Sequence, residues 1–387
     1  VRETVDFGDT DAQQELAALS RRILTEGATP KRLAELETCG IRFDRPLWAE
    51  LARAGILAAG LPESLGGGGL GLIEQCSVLT EIGRTVAPVP YLASIVLGAG
   101  ALARFGTPDQ QQRWAVPASR GELVLAAALS EDDSDDPRAP AATAEPVPDG
   151  WLLSGTKTAV LAAPAARMML VPARTPGGVA VFLAGPPDGV RVQEQDVTGG
   201  VSAGRVSLAG VRLPAMRMLG TPGSQVTDWL VARGTVGLCA LQLGVTERAL
   251  ELTAEYARTR QQFGRPIGSF QAVAQRLADA YIDTEAIRLT MWQAAWQLAG
   301  VPDGGPTDAG AAGTGAAASA AVATAKFWAA DAGHRVAHTA VHVHGGMGIA
   351  TSYPLHRYFT AAKHNEFALG GATAQLRRLG AALALGC

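Results

Sequence analysis

Between residues 121 and 214 the apolar residues change their spacing. That change constrains the fold more than any other feature. On either side they recur every three or four positions; inside it they form short runs or alternate in twos. Neither period suits the other's secondary structure, so a β unit must sit between two helical ones. Its strand candidates are ELVLAAAL, GWLLSG, RMMLVPA, GVAVFLAG, GVRVQEQDV and GRVSLAGVRL. Turn clusters such as DDSDDPRAP, VPDG, TPGG and AGPPDG separate them. This is the pattern of a small β-barrel or sandwich.

The flanks read as helices. In DAQQELAALSRRILTEG, Leu16, Leu19, Ile23 and Leu24 share one face and Gly27 is a stop. In LIEQCSVLTEIGR, Leu72, Ile73, Cys76, Leu79 and Ile82 do the same. The loop ESLGGGGLG between them holds a formal G-x-G-x-x-G at Gly66, Gly68 and Gly71. No strand leads into it and no acid follows at the right distance, so it is no dinucleotide fingerprint. After about residue 225, Phe270, Val273, Leu277, Ala280, Tyr281, Ile287, Met291 and Leu298 predict one long, well-buried helix. The stretch from Val301 to Phe327 reads as a loop followed by an Ala-rich helix start, with Gly310 to Gly315 mobile. The division is a helical domain over 1–120, a β domain over 121–220 and a helical bundle over 221–387.

Half of the 387 residues are apolar, enough for several packed sub-domains. A net charge of -3 with scattered basic residues points to neither a nucleic-acid nor a membrane-surface partner. Cys39, Cys76, Cys239 and Cys387 show no metal or disulfide spacing and read as reduced thiols. No apolar run reads as a membrane span and the first residues lack a signal-peptide core, so the expectation is a soluble, cytoplasmic protein.

Two stretches carry chemistry. In YARTRQQFGRPIGSFQAVAQRLADAY a helix ends at the basic residues Arg258 and Arg260. Gly264 and Pro266 break it, and Ser269 is the expected N-cap of the next helix. An arginine beside a helix N-terminus suits a pyrophosphate, although a solvated arginine in an ordinary turn reads the same way. The second stretch, HVHGGMGIATSYPLHRYFTAAKHNEFALGGATAQ, has two Gly-Gly pairs and one carboxylate, Glu366.

These words resemble the flavin-dependent acyl-CoA dehydrogenase family. R-x-x-F-G-x-P-I-x-x-F-Q and L-A-D-x-Y match one signature of that family. HVHGGMGIATSYPLHRY is similar to the second, Q-x-x-G-G-x-G followed by Tyr-Pro. ALSEDDSDD and GLPESLGGGGLG resemble two more of its segments. The resemblance implies an α+β fold of the acyl-CoA dehydrogenase kind: N-terminal helices, a middle β-barrel or sandwich, and a C-terminal four-helix bundle. It implies FAD, held between subunits. Arg260, Phe263, Gln271, His342, Gly345 and Gly346 would grip the FAD of a neighbour, and Ser130 would touch the flavin ring. It also implies an acyl-CoA thioester substrate and an electron-transfer flavoprotein, or an equivalent acceptor.

The family reaction takes a proton from the α carbon and a hydride from the β carbon, and the proton needs a carboxylate in a dry pocket. The usual Glu position falls on Leu369, or on Gly370 with one gap, and the alternative position on Gln261. None accepts a proton. Glu366 is the nearest acid and Glu247 reads as a surface acid. KTAVL, Lys157 to Leu161, lacks the Trp that covers the flavin ring in the family. The ring-facing half is eroded and the half serving a neighbour is kept. The chain therefore resembles the base-lacking subunit of actinobacterial heteromeric members, α2β2 assemblies that act on acyl-CoA esters, among them those of steroid side chains. Open beside this are a flavin monooxygenase or hydroxylase on the same fold, a homotetrameric dehydrogenase with Glu366 as its base, and a scaffold without flavin.

Overall fold

The computed structural model describes residues 10–132, 136–299 and 311–385. The N-terminal part is helical: α1 (Asp11–Gly27), α2 (Pro30–Thr38), α3 (Arg45–Arg53) and α4 (Leu72–Thr85), then a π-helical segment (Tyr91–Ala99) that runs into α5 (Gly100–Phe105). The short α6 (Pro108–Gln110) and α7 (Val116–Ser119) lead into the sheet. Thr10 caps α1 in a reciprocal box with Gln13, and Glu74 reaches back to the Gly71 N–H to cap α4. The glycine-rich loop thus ends as an ordinary helix entry.

The strands are β1 (Val124–Ala127), β2 (Thr143–Val147), β3 (Gly150–Leu161), β4 (Ala166–Thr175), β5 (Gly178–Ala184), β6 (Arg191–Glu194), β7 (Ala203–Pro214) and β8 (Met218–Leu219). They form one sheet in the order β6-β7-β3-β2-β4-β5-β8, with β1 parallel to β4. Each expected run became a strand. β2 went unread because TAEPV is polar and carries Pro146. Alternation along β4 and β5 serves two cores. Met168, Leu170, Val181 and Leu183 face the helices, while Met169, Val171, Phe182 and Ala184 face a core shared with Leu153, Val206 and Leu213.

The C-terminal part holds α8 (Val226–Thr259), a small hairpin of β9 (Gln261–Gln262) and β10 (Arg265–Pro266), α9 (Gln271–Ala299), α10 (Ala311–His344), α11 (Leu355–Phe367) and α12 (Ala372–Leu385). α8, α9, α10 and α11 pack along one another.

Five expectations need correction. Ser269 does not cap α9: its hydroxyl donates to the Pro266 carbonyl, and the Phe270 carbonyl accepts the first N–H groups instead. α9 is buried along one narrow stripe only; Ala280, Ile287 and Met291 are inside, while Tyr281 and Ile282 are 59% and 65% exposed. Its large exposed apolar residues broke the inference from period to burial. α10 begins at Ala311, inside the stretch read as mobile, and the preceding loop lies outside the described residues. α8 is long and apolar enough to cross a membrane, but most of it is buried as a core helix. Glu247 is no surface acid: it is 12% exposed and paired with Arg84 and Arg288, each at 2.7 Å.

Candidate functional site

The sheet, the N-terminal helices and the C-terminal helices enclose a cavity of about 510 Å³. Leu92 and Leu97 of the π-helical segment form one wall, and Ala127, Leu129 and Ser130 at the end of β1 form the next. Ala159, Val160 and Leu161 of β3 face Gly234 and Leu238 of α8. The end of α11 closes it with Lys363, His364, Phe367 and Leu369.

Ser130 and Leu369, 239 residues apart in sequence, therefore meet in one cavity. Ser130 is fixed through its carbonyl, which accepts from the Thr158 N–H at 2.9 Å. The next residue, Glu131, anchors the turn. It takes the buried Lys157 ammonium at 2.6 Å and the N–H groups of Ala141 and Ala142. Burial pushes the Glu131 carboxyl up, but Lys157 and the two backbone donors outweigh it and hold the carboxyl below its usual value.

Ala159 stands where the resemblance has the flavin-covering tryptophan. It has φ 49°, and its N–H donates to Gln195 at 2.8 Å. Leu369, at the position of the base, has φ 57° and packs towards the bare backbone of Gly234. Gly370 and Gln261 do not line the cavity. Neither does Glu366. Its carboxylate turns to α10, with Lys363 at 2.5 Å and His334 at 3.2 Å.

The titratable side chains lining the cavity are Lys363 and His364. Burial, then the Lys326 charge, lowers the His364 pKa, so its ring is neutral, and it donates to the Thr198 carbonyl. Lys363, His364 and Lys326 were not singled out in the sequence. A lone lysine in an Ala-rich helix was the only signal for Lys326.

The other predicted residues lie outside the cavity, on an outward-facing ledge made of two segments, 260–271 and 342–346. Arg260 ends α8, with its N–H on the Tyr256 carbonyl at 2.8 Å. Phe263 and Gly264 make the two-residue hairpin turn with φ 53° and 78°. That turn leaves the Phe263 ring 93% exposed. Gln271, His342, Gly345 and Gly346 are exposed as well. No atom lies within 4 Å of where a Cβ would stand on Gly345 or Gly346, and Gly345 has φ 61°. A bare, open backbone of this kind lets a phosphate approach closely. His344, between them in sequence, is structural: it is buried, stacked on Tyr256 at 4.3 Å and bonded to the Ala340 carbonyl.

Residues 10–122 match the family model described as the acyl-CoA dehydrogenase N-terminal domain, and residues 221–384 match that of the C-terminal domain. The acyl-CoA dehydrogenase FadE27 of Mycobacterium tuberculosis is 51% identical over 98% of this chain and 99% of its own length. The chain belongs to the acyl-CoA dehydrogenase family. It is therefore a member of an oxidoreductase family, with the mixed fold of N-terminal helices, central sheet and C-terminal helices. Among solved structures, the ChsE4-ChsE5 complex from Mycobacterium tuberculosis matches with 50% identity and a TM-score of 0.91, covering 98% of this chain and 99% of that one. A variant of the Tcur3481-Tcur3483 steroid ACAD matches at 41% identity and a TM-score of 0.86, over 97% of this chain and 98% of that one.

Proposed function

We propose that this chain is the cofactor-supporting subunit of a heteromeric, FAD-dependent acyl-CoA dehydrogenase and does not itself abstract the substrate proton. The observation that carries the reading is an asymmetry. The cavity is lined by no carboxylate, while Arg260, Phe263, Gln271, His342, Gly345 and Gly346 all stay exposed on the outside. On the same reading the domains divide near residues 120 and 220, and the protein works in the cytoplasm. Both solved relatives described above are named as pairs of chains, which supports a partner subunit. That one of them is named a steroid ACAD supports a bulky, steroid-derived acyl-CoA as substrate, with an electron-transfer flavoprotein as acceptor.

Bound FAD supplies the hydride acceptor of the reaction. Arg260 would hold the pyrophosphate of a neighbour's FAD by charge-assisted hydrogen bonds. Gly345 and Gly346 would let the backbone approach it, with His342 and Gln271 adding donors. Phe263, displayed on its hairpin, would cover an apolar part of the cofactor. The related partner would contribute the carboxylate base. In this chain's own cavity, Leu369 and Ala159 replace the acid and the ring cover with small or apolar groups. Glu366 is an unsuitable base, because Lys363 and His334 already hold its carboxylate and it does not line the cavity.

The test is the absorbance spectrum and mass of the protein expressed alone and with a related gene adjacent to its own. A colourless chain alone and a yellow mixed tetramer are expected. A yellow homotetramer that oxidises an acyl-CoA would overturn the proposal.

A further inference from the structure

A second pocket of about 610 Å³ lies where α3, the turns before β1, and the start of β4 converge. It shares no residue with the cavity or the cofactor ledge. Three arginines line it from three elements: Arg45, Arg113 and Arg167. Among the described residues none of the three is ion-paired, and one carboxylate, Glu122, lines the pocket against them. The contrast with the other arginine-rich pocket is instructive. There Arg21, Arg84, Arg248 and Arg357 each hold a glutamate within 2.8 Å. Those charges are neutralised within the fold; these have no carboxylate partner among the described residues.

The floor supplies a second observation. Trp48 is 3% exposed, and its indole N–H has no hydrogen-bond partner. Buried indole donors nearly always find one. The N–H sits 3.6 Å from where a Cβ on Gly121 would stand, and Gly121, with φ +73°, lines the same pocket. The wall beside it is aromatic: Arg113 lies over Trp114 at 5.2 Å and Arg45 over Phe43 at 5.0 Å.

We propose that this pocket binds the phosphate group of an organic phosphate ester. Three guanidinium groups against one carboxylate leave two positive charges, which match a phosphate monoester better than a carboxylate. The Trp48 N–H donates to one of its oxygens. Arg113 and Arg45, seated over the Trp114 and Phe43 rings, are held in place to receive it.

The probe is AMP, titrated into the full-length chain carrying Arg260→Gln and Gly345→Val, which together weaken the cofactor ledge. Tryptophan fluorescence is read. Saturable quenching is expected, with inorganic phosphate competing and adenosine inert. Arg113→Gln and Arg167→Gln should each weaken AMP binding about tenfold. Trp48→Phe should weaken it a few-fold. The two arginines are exposed, so their variants keep the test decisive even where Trp48→Phe misfolds. Coenzyme A in place of AMP distinguishes the sources: tighter binding that Arg113→Gln and Arg167→Gln weaken assigns a coenzyme ester, weaker binding a free nucleotide. No saturable AMP signal, equal binding of adenosine, or arginine variants that bind as well as their parent overturns the proposal.

Discussion

Replacing Lys326 by methionine should change the pH dependence of stability in a direction that few lysines show. Lys326 is fully buried. Its ammonium donates to the carbonyls of Asn365 at 2.5 Å and Glu366 at 3.1 Å. These are orphan acceptors in the last turn of α11, at the negative end of its dipole. Burial lowers the Lys326 pKa from 10.5 to about 8, despite the opposing influence of Cys239 and Glu366. A depressed lysine pKa means that the unfolded chain binds the proton more tightly. The charged form therefore weakens the fold below about pH 8, and stability rises with pH until the unfolded lysine also loses its proton near 10.5. The full span is 10.5 minus 8, or 2.5 pH units, equivalent to about 3 kcal/mol.

Between pH 7.5 and 9.5 the linkage releases about 2 kcal/mol of that. Buried thiols act oppositely: burial raises Cys76 and pushes Cys239 up to about 12, so unfolding releases their protons above about pH 9. That opposition is common to both proteins and cancels in the difference. The assay is thermal unfolding of wild type and Lys326→Met at the two pH values. For a chain of 387 residues, about 2 kcal/mol corresponds to about 2 °C. Wild type should gain that much on the variant as pH rises. A constant difference, or one that shrinks, refutes the buried-charge reasoning.

Glu131→Gln strands the buried Lys157 charge and should lower stability by about 3 kcal/mol at pH 7, read by thermal melting. Because the Glu131 pKa is lowered, that difference is full above the usual carboxylate pKa and should be lost as pH falls through the depressed value. Arg260→Gln should reduce FAD affinity of the mixed tetramer about tenfold, measured by flavin release on dilution. Gly345→Val should release flavin too, because it fills the open ledge and strains a residue with φ 61°. Glu366→Gln should leave the rate of flavin reduction within about twofold, since one protonation role lost would slow it a hundredfold or more; stopped-flow absorbance decides.

The fold was legible wherever local period and local burial agree. β4 and β5 face two different cores, so both of their faces were under constraint, whereas β3 and β7 bury one face in a single core and so alternate. α9 shows where that logic stops. Its apolar residues repeat correctly, yet Tyr281, Ile282, Leu289 and Trp296 stay exposed in the single chain. Periodicity records which faces are apolar, not which surface covers them. The pieces of the ledge were readable because they are local: a helix end, a tight hairpin and a glycine turn are each written in a few adjacent residues. The cavity was harder. Leu369 and Ser130 were found through family positions, but their shared wall depends on how α11 meets β1. His364 and Lys326 left almost no trace, because their environment is made by segments far apart in sequence. The same distinction explains the asymmetry between the two halves. A cavity needs its base, ring cover and walls to agree at once, so on the proposed reading two changes, at Leu369 and Ala159, are enough to remove its chemistry. The ledge is built from independent local pieces, so on the same reading it can be kept for a neighbour after the cavity has lost its own reaction.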